Sequence, residues 1–311
     1  MAHYLRKMDP PHGHHLWRID ADEAVRLLVT NPKGGPGTYF ERGDAPSIWH
    51  AIETGTQWFR VDDPSTWTFH RLALDPGRYH PRMARPLMGS DLMLSPSARL
   101  EPNVVASGIG QATTLMRKLD LVCQTVHAVP ETFHVFGHEI RNLLILASTE
   151  VETHWRGVLV ANGVTRDRLT TRDYVKLLRP MKLDDYSVSF PSFPWLEPVR
   201  PFEGWSDAEP TTSLGWYDAY NGVKHNRERE FHRANLRHAF EAVAACVVLL
   251  AAQFTRSIGL GGQSDLSAYF RFDQVPAWAP GDSYIDSCGA PEGHFGDLER
   301  LPWEAIPHPE L

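Results

Sequence analysis

The sequence predicts a mainly α fold: an antiparallel helical bundle with a mixed α+β N-terminal region before it and an irregular C-terminal tail after it. Three observations carry this expectation. Proline breaks helices, and none occurs from Glu131 to Arg179 or from Thr211 to Val275, although the chain holds 24 prolines and 23 glycines. Both windows carry apolar residues at helical spacing. In the second, Leu236, Phe240, Val243, Val247, Leu250 and Phe254 recur at steps of four and three. That is a packing seam, and the middle of the run is apolar all round, as in the central helix of a bundle.

Residues 1–107 read as a mixed region rich in turns, assigned to no fold. Asp20-Ala-Asp-Glu23 ahead of Ala24, Val25, Leu27 and Leu28 predicts a short capped helix. Asn31-Pro-Lys-Gly-Gly-Pro-Gly37 is a loop. Trp49, Trp58 and Trp67 read as core or rim tryptophans, because their flanks differ too much for a repeat. The alternation over Thr66–Leu74 suggests a strand.

The bundle is expected over residues 108–258. From about Gly110, Leu115, Leu119, Val122 and Val126 mark an amphipathic helix that Pro130 ends. A second helix is expected from near Phe136 to about Ala161. Its stripe is Phe136, Ile140, Leu143, Leu144, Ala147, Val151, Trp155 and Val158. Thr170 caps a short helix that Pro180 stops. A Pro- and aromatic-rich excursion fills 180–213, with a strand signal in Asp185–Phe190. Helical signal returns near Leu214, and the long apolar helix is expected from about Glu230 to Ser257. Gly259-Leu-Gly-Gly262 ends the bundle. Residues 259–311 read as an extended surface tail, with a strand signal in Ala268–Val275.

Composition excludes several classes. The chain has 311 residues, 42% hydrophobic and 22% charged, an ordinary globular mix. A net charge of −7 argues against whole-chain steering toward nucleic acid and leaves only a local basic patch for that role. Cys123, Cys246 and Cys288 form no CxxC pair and fit a reducing cytosol. The first residues lack the apolar core of a signal peptide, so a cytoplasmic protein is expected. Ala239–Phe254 is too short for the ~20 residues of a membrane span and carries Glu241 and Gln253, so it reads as a buried helix. No phosphate-cradling glycine loop and no GxSxG elbow is present, so no cofactor is expected.

One constellation could carry chemistry. Asn221-Gly-Val-Lys-His-Asn-Arg227 enters the central helix, and Asn221, Lys224 and His225 share a helical face. A histidine between cations can move a proton near neutral pH while the cations hold phosphate charge. Metal-independent RNA cleavage by a ribose 2′-hydroxyl needs that set. Glu139, Glu150 and Glu152 form an acidic edge on the second helix, with His138 and Arg141 beside it. Glu150 is the carboxylate expected to hold Lys224, His225 or Arg227. The alternative is a structural network: a capped turn at Asn221-Gly222 and an ion pair that sets helix register. His134 and His138, four apart, could chelate a metal, but HVFGHE is not HExxH and no third ligand follows. No metal is expected.

The run HEIRNLLILASTEVETHW, then LGWYDAYNGVKHNRE, then a long Ala-rich helix, resembles the HEPN superfamily of helical bundles over about residues 110–257. More narrowly, it resembles uncharacterised bacterial HEPN-like proteins with a WYxAYNxVKHxR-type segment. The resemblance implies a metal-independent ribonuclease of a toxin or phage-defence type, RNA as partner, and a homodimer with the site between protomers. On that pattern His225 is the catalytic histidine, and Asn221, Lys224, Arg227 and Glu150 are its neighbours. The family's arginine, four to six residues before the histidine, is absent: Asp218, Ala219 and Tyr220 stand there. Other HEPN-like domains are non-catalytic and bind nucleotides, RNA or proteins, so a binding or regulatory module remains the alternative. Neither residues 1–107 nor the tail adds to the resemblance.

Overall fold

The computed structural model describes residues 1–7, 14–29, 31–34, 37–55, 67–88, 95–255, 266–286 and 302–311. Gly35, Pro36, Trp58, the Gly259–Gly262 helix stop and Cys288 lie outside the described residues. The fold is mixed α+β with a helical majority. The chain divides into two compact units. One comprises Met1–Tyr79, Arg85–Leu92 and Trp278–Ala305; the other comprises His80–Ala84, Met93–Ala277 and Ile306–Leu311.

The first unit is built on an antiparallel sheet of β1 (Ala2–Lys7), β2 (His14–Ile19), β3 (Glu23–Arg26), β4 (Tyr39–Glu41) and β5 (Phe69–Arg71), in the order β4-β3-β2-β1-β5. The short helix α1 (Ile48–Glu53) is capped by Ser47, which accepts from the His50 N–H. Its Ile48 and Ile52 join Trp17, Ile19, Ala24 and Phe40 in one apolar cluster. The helix expected after Asp20 is a strand. Asp20 accepts from the N–H groups of Asp22 and Glu23, and its own N–H donates to the Glu23 carbonyl. That Asx turn reverses the chain, and Ala24 then pairs with Ile19 across the hairpin. The strand expected around Thr66–Leu74 is β5. Two short parallel pairs complete the unit: β6 (Arg78–Tyr79) with β11 (Glu304–Ala305), and β7 (Leu87–Met88) with β10 (Tyr284–Ile285).

The second unit is helical. Its elements are α2 (Pro96–Leu100), α3 (Pro102–Thr125), α4 (His138–Ala161), α5 (Thr171–Tyr174), α6 (Leu178–Met181), α7 (Gly215–His225), α8 (Arg227–Glu230), α9 (Leu236–Phe254) and α10 (Leu266–Tyr269). Strand β8 (Ser187–Ser189) pairs antiparallel with β9 (Arg271–Gln274), at the two strand signals of the sequence. α3 opens eight residues before Gly110, at Pro102 in its first turn, where a missing N–H does no harm. α4 keeps its expected span to within two residues. α9 opens later than Glu230 because Asn235 accepts from the His238 N–H and caps it there.

α9 is the core. Leu236, Phe240, Val243, Val247, Leu250 and Phe254 are all buried, and the helix packs on α4, α3 and α7. By length and composition Leu236–Phe254 could cross a membrane, but 83% of its apolar window is buried within the protein. α3 and α4 form an antiparallel hairpin, whereas α4 and α9 run parallel. Phe136 bridges to Asn235 at their starts, the Cys246 thiol meets the Ala147 carbonyl midway, and Gln253 meets His154 near their ends. The long connection carrying α5 to α8 permits that direction, so a bundle of purely antiparallel neighbours does not describe this pair. The excursion adds to the core although residues 191–200 are mostly exposed: Phe202 and Trp205 are buried, and Trp205, like Tyr174 of α5, stacks on Trp155, at 4.9 and 5.2 Å. The expected tail likewise contributes buried Leu266 and Phe270.

Candidate functional site

α7 carries most of the candidate residues and is held to α4 by its tyrosines. Tyr217 and Tyr220 are buried and point at one carboxylate, Glu152. The Tyr217 hydroxyl donates to Glu152 Oε1 at 2.6 Å, and the Tyr220 hydroxyl stands 3.5 Å from Oε2. Burial and the adjacent Glu152 push the Tyr217 hydroxyl well above its usual pKa. Lys224, one turn beyond Tyr220, donates from Nζ to the Tyr220 hydroxyl oxygen at 2.8 Å and lies 4.9 Å from its ring centre. That bond holds the proton on Lys224, raising its pKa. The result is a chain of polar groups from the buried Tyr217 through Glu152 and Tyr220 to an exposed ammonium.

Another face of α7 meets the segment between α8 and α9. Arg233 pairs with Asp218 and, at 3.1 Å, with Glu230. Gly222 makes room for it: a Cβ there would lie 3.2 Å from Arg233 Nη1 and 3.3 Å from Glu230 Oε2. His238 Nδ1 donates to the Arg233 carbonyl at 2.7 Å, since a carbonyl can only accept, and burial lowers its pKa.

The five residues expected to act together are not brought into one cluster. Lys224, His225 and Arg227 are exposed on the last turn of α7 and the first of α8. Among the described residues, neither the His225 nor the Arg227 side chain makes a hydrogen bond or ion pair. Asn221 donates its amide to the Tyr217 carbonyl at 3.0 Å, one turn back on its own helix, rather than to His225. Glu150 faces elsewhere. It lies 3.5 Å from His154 Nε2, and burial raises its pKa. Two residues apart on a helix means about 200° apart around its axis, so the turn that gives Glu152 to α7 takes Glu150 away. Glu152 is therefore the carboxylate of the acidic edge that reaches α7.

Tyr217, Tyr220, Asp218 and Arg233 were not among the expected site residues. The spacing of Tyr220 and Lys224 at i, i+4 was a local signal for their contact. Nothing local marks Arg233 as the partner of Asp218. His134 lies outside α4, which begins at His138 with Gly137 before it, so the helical His134–His138 pair does not form. The His138 ring packs on Phe231 at 5.1 Å.

A cavity of about 360 Å³ opens between the end of α3 and the start of α4. Val122, Ile140 and Leu143 line its walls, and Phe136 and His138 stand at its rim. Phe231, directly after α8, meets Phe136 edge-on at 5.7 Å. The helical unit thus presents a cationic helix end and a cavity whose lining Phe136 and His138 touch Phe231, the residue after α8. The chain matches no protein-family model, no curated protein and no solved structure, so what the site can do follows from its own geometry.

Proposed function

We propose that the helical unit is a HEPN-like, metal-independent endoribonuclease that works at the α7–α8 end. One observation supports this reading above the others. Lys224, His225 and Arg227 are exposed together, while the nearby carboxylates are occupied: Glu152 by two tyrosines, Asp218 and Glu230 by Arg233. Of the acidic residues in α7 and α8, only Glu228 stands exposed beside the cations. In a chain of net charge −7, such a cationic end suits a phosphate. Lys224 and Arg227 would hold the phosphate oxygens and stabilise charge in the transition state. The ribose 2′-oxygen bonds to phosphorus and the bond to the 5′-oxygen breaks. The proton released from the 2′-hydroxyl reaches the departing oxygen through His225. This reading includes a cytoplasmic homodimer of toxin or phage-defence type, in which a partner protomer would supply the group that orients His225.

A second reading, a non-catalytic binding or regulatory module, is favoured by the Asn221 contact. Its amide goes to Tyr217, and among the described residues no side chain orients His225. The two separate in one assay, cleavage of a single-stranded RNA in EDTA. The ribonuclease reading expects cleavage by the native protein and a loss of at least a hundredfold in His225→Ala at unchanged melting temperature. Equal cleavage by native protein and variant removes catalysis from His225 and contradicts the proposed site; no cleavage by either leaves the binding module.

A further inference from the structure

We infer that the α3–α4 cavity is a subsite for one unpaired nucleobase of an RNA whose phosphate lies on the Lys224–Arg227 end, an assignment that rests on the RNA reading above. The cavity is of ligand size, about 360 Å³, within the range of small-molecule sites. Its walls are apolar, yet Phe136 at its rim is 48% exposed and Leu121 beside it 60%. Large exposed apolar side chains gathered at a cavity mouth mark a binding surface. The polar groups lining it are mixed: Lys118 donates, Glu139 accepts, and the Asn142 amide, whose Oδ1 already accepts from Arg141 at 2.8 Å, has its N–H groups to donate. A base edge presents donors and acceptors side by side, so this mixture suits a base better than a simple anion.

Continuity ties the cavity to the cationic end. Phe231 packs edge-on against Phe136 and lies against His138, and the Arg141 guanidinium lies 6.0 Å from its ring centre. Phe231 directly follows α8. At ~1.5 Å of rise per residue, it stands about 6 Å along the helix from Arg227. Exposed aromatic rings beside cations are how proteins hold single strands: the rings stack on bases and the cations track phosphates. A base can enter a cavity only when unstacked and unpaired, so the substrate class is single-stranded RNA or a loop, not duplex.

The test is fluorescence anisotropy in EDTA at fixed salt, with a labelled ten-nucleotide single-stranded RNA, 2′-O-methylated so that it cannot be cleaved, and the same sequence as a blunt duplex. The native protein should bind the single strand at least tenfold more tightly than the duplex. Val122→Trp, which fills the cavity, should weaken single-strand binding at least fivefold and leave duplex binding unchanged. Phe136→Ala, at an exposed position that does not threaten the fold, should do the same. Lys224→Ala with Arg227→Ala should weaken both RNAs equally. Equal native affinity for single strand and duplex, or tight single-strand binding by a folded Val122→Trp and by Phe136→Ala, overturns the base subsite and leaves the cationic end standing. No RNA binding by the native protein overturns both.

Discussion

At the residue scale, His154 and Glu241 shift the pH dependence of stability in opposite directions. Gln253 Nε2 can only donate, so His154 Nδ1 accepts from it at 2.9 Å and the neutral ring presents its proton on Nε2 toward Glu150. Burial, helped by the charge on Arg82, pushes its pKa down to about 4. The unfolded chain therefore takes up this proton first as pH falls. The His154 contribution is fully present above about pH 6.5 and is lost on acidification through about pH 4. It amounts to about 3 kcal/mol over that span. Glu241 acts with the opposite sign. Burial raises its carboxyl to about 7, so its contribution is present below about pH 4.5 and is lost as pH rises through 7. The two shifts are equal in size and nearly cancel between about pH 4.5 and 6.5, so urea denaturation of the native protein should show little slope from them there, and His154→Gln should expose the Glu241 loss as stability that falls with rising pH. A pH profile left unchanged in a folded His154→Gln would mean that the ring titrates freely.

At the element scale, the spacing between helices is set by small residues. A Cβ on Gly108 of α3 would stand 2.7 Å from Leu250 Cδ1 of α9, and the His154 ring is also near, at 3.6 Å. Leu250 is buried and has little room to yield. Gly108→Ala should therefore destabilise the helical unit by about 1–3 kcal/mol, although alanine favours helix by about 1 kcal/mol. A denaturation midpoint that rises instead would show the α3–α9 approach to be looser than described. The elements differ in how legible they were. α4 and α9 bury a continuous stripe, so their apolar period survives in the residues themselves. The sequence around β3 predicts a helix because the Asp20 turn and the four apolar residues Ala24, Val25, Leu27 and Leu28 serve either structure until a partner strand is known. The start of α3 is hidden in the sequence because Gly108 and Gly110 weaken its helical signal, while the reason for Gly108, its approach to Leu250 of α9, lies about 140 residues away. The choice between Glu150 and Glu152 has the same cause. Both flank the α4 stripe, and only the position of α7 decides which one is used.

At the scale of the whole molecule, the chain joins a sheet-based unit to a helical one, and the chemistry suited to RNA sits on the helical one. Glu152, Asp218 and Glu230 near α7 are engaged within the fold, and Lys224 and Arg227, which form no ion pair among the described residues, face solvent at one helix end. The cationic motif was legible from Asn221 to Arg227. The groups that hold it, Glu152, Tyr217, Tyr220 and Arg233, come together only through tertiary packing. The central claim is that this end cleaves RNA by 2′-hydroxyl attack, and the ends of the product report it most directly. A defined single-stranded RNA, incubated with the native protein in EDTA and resolved by mass spectrometry, should yield fragments ending in 2′,3′-cyclic phosphate and beginning with 5′-hydroxyl. Intact RNA, or fragments carrying 5′-phosphate, would contradict the account.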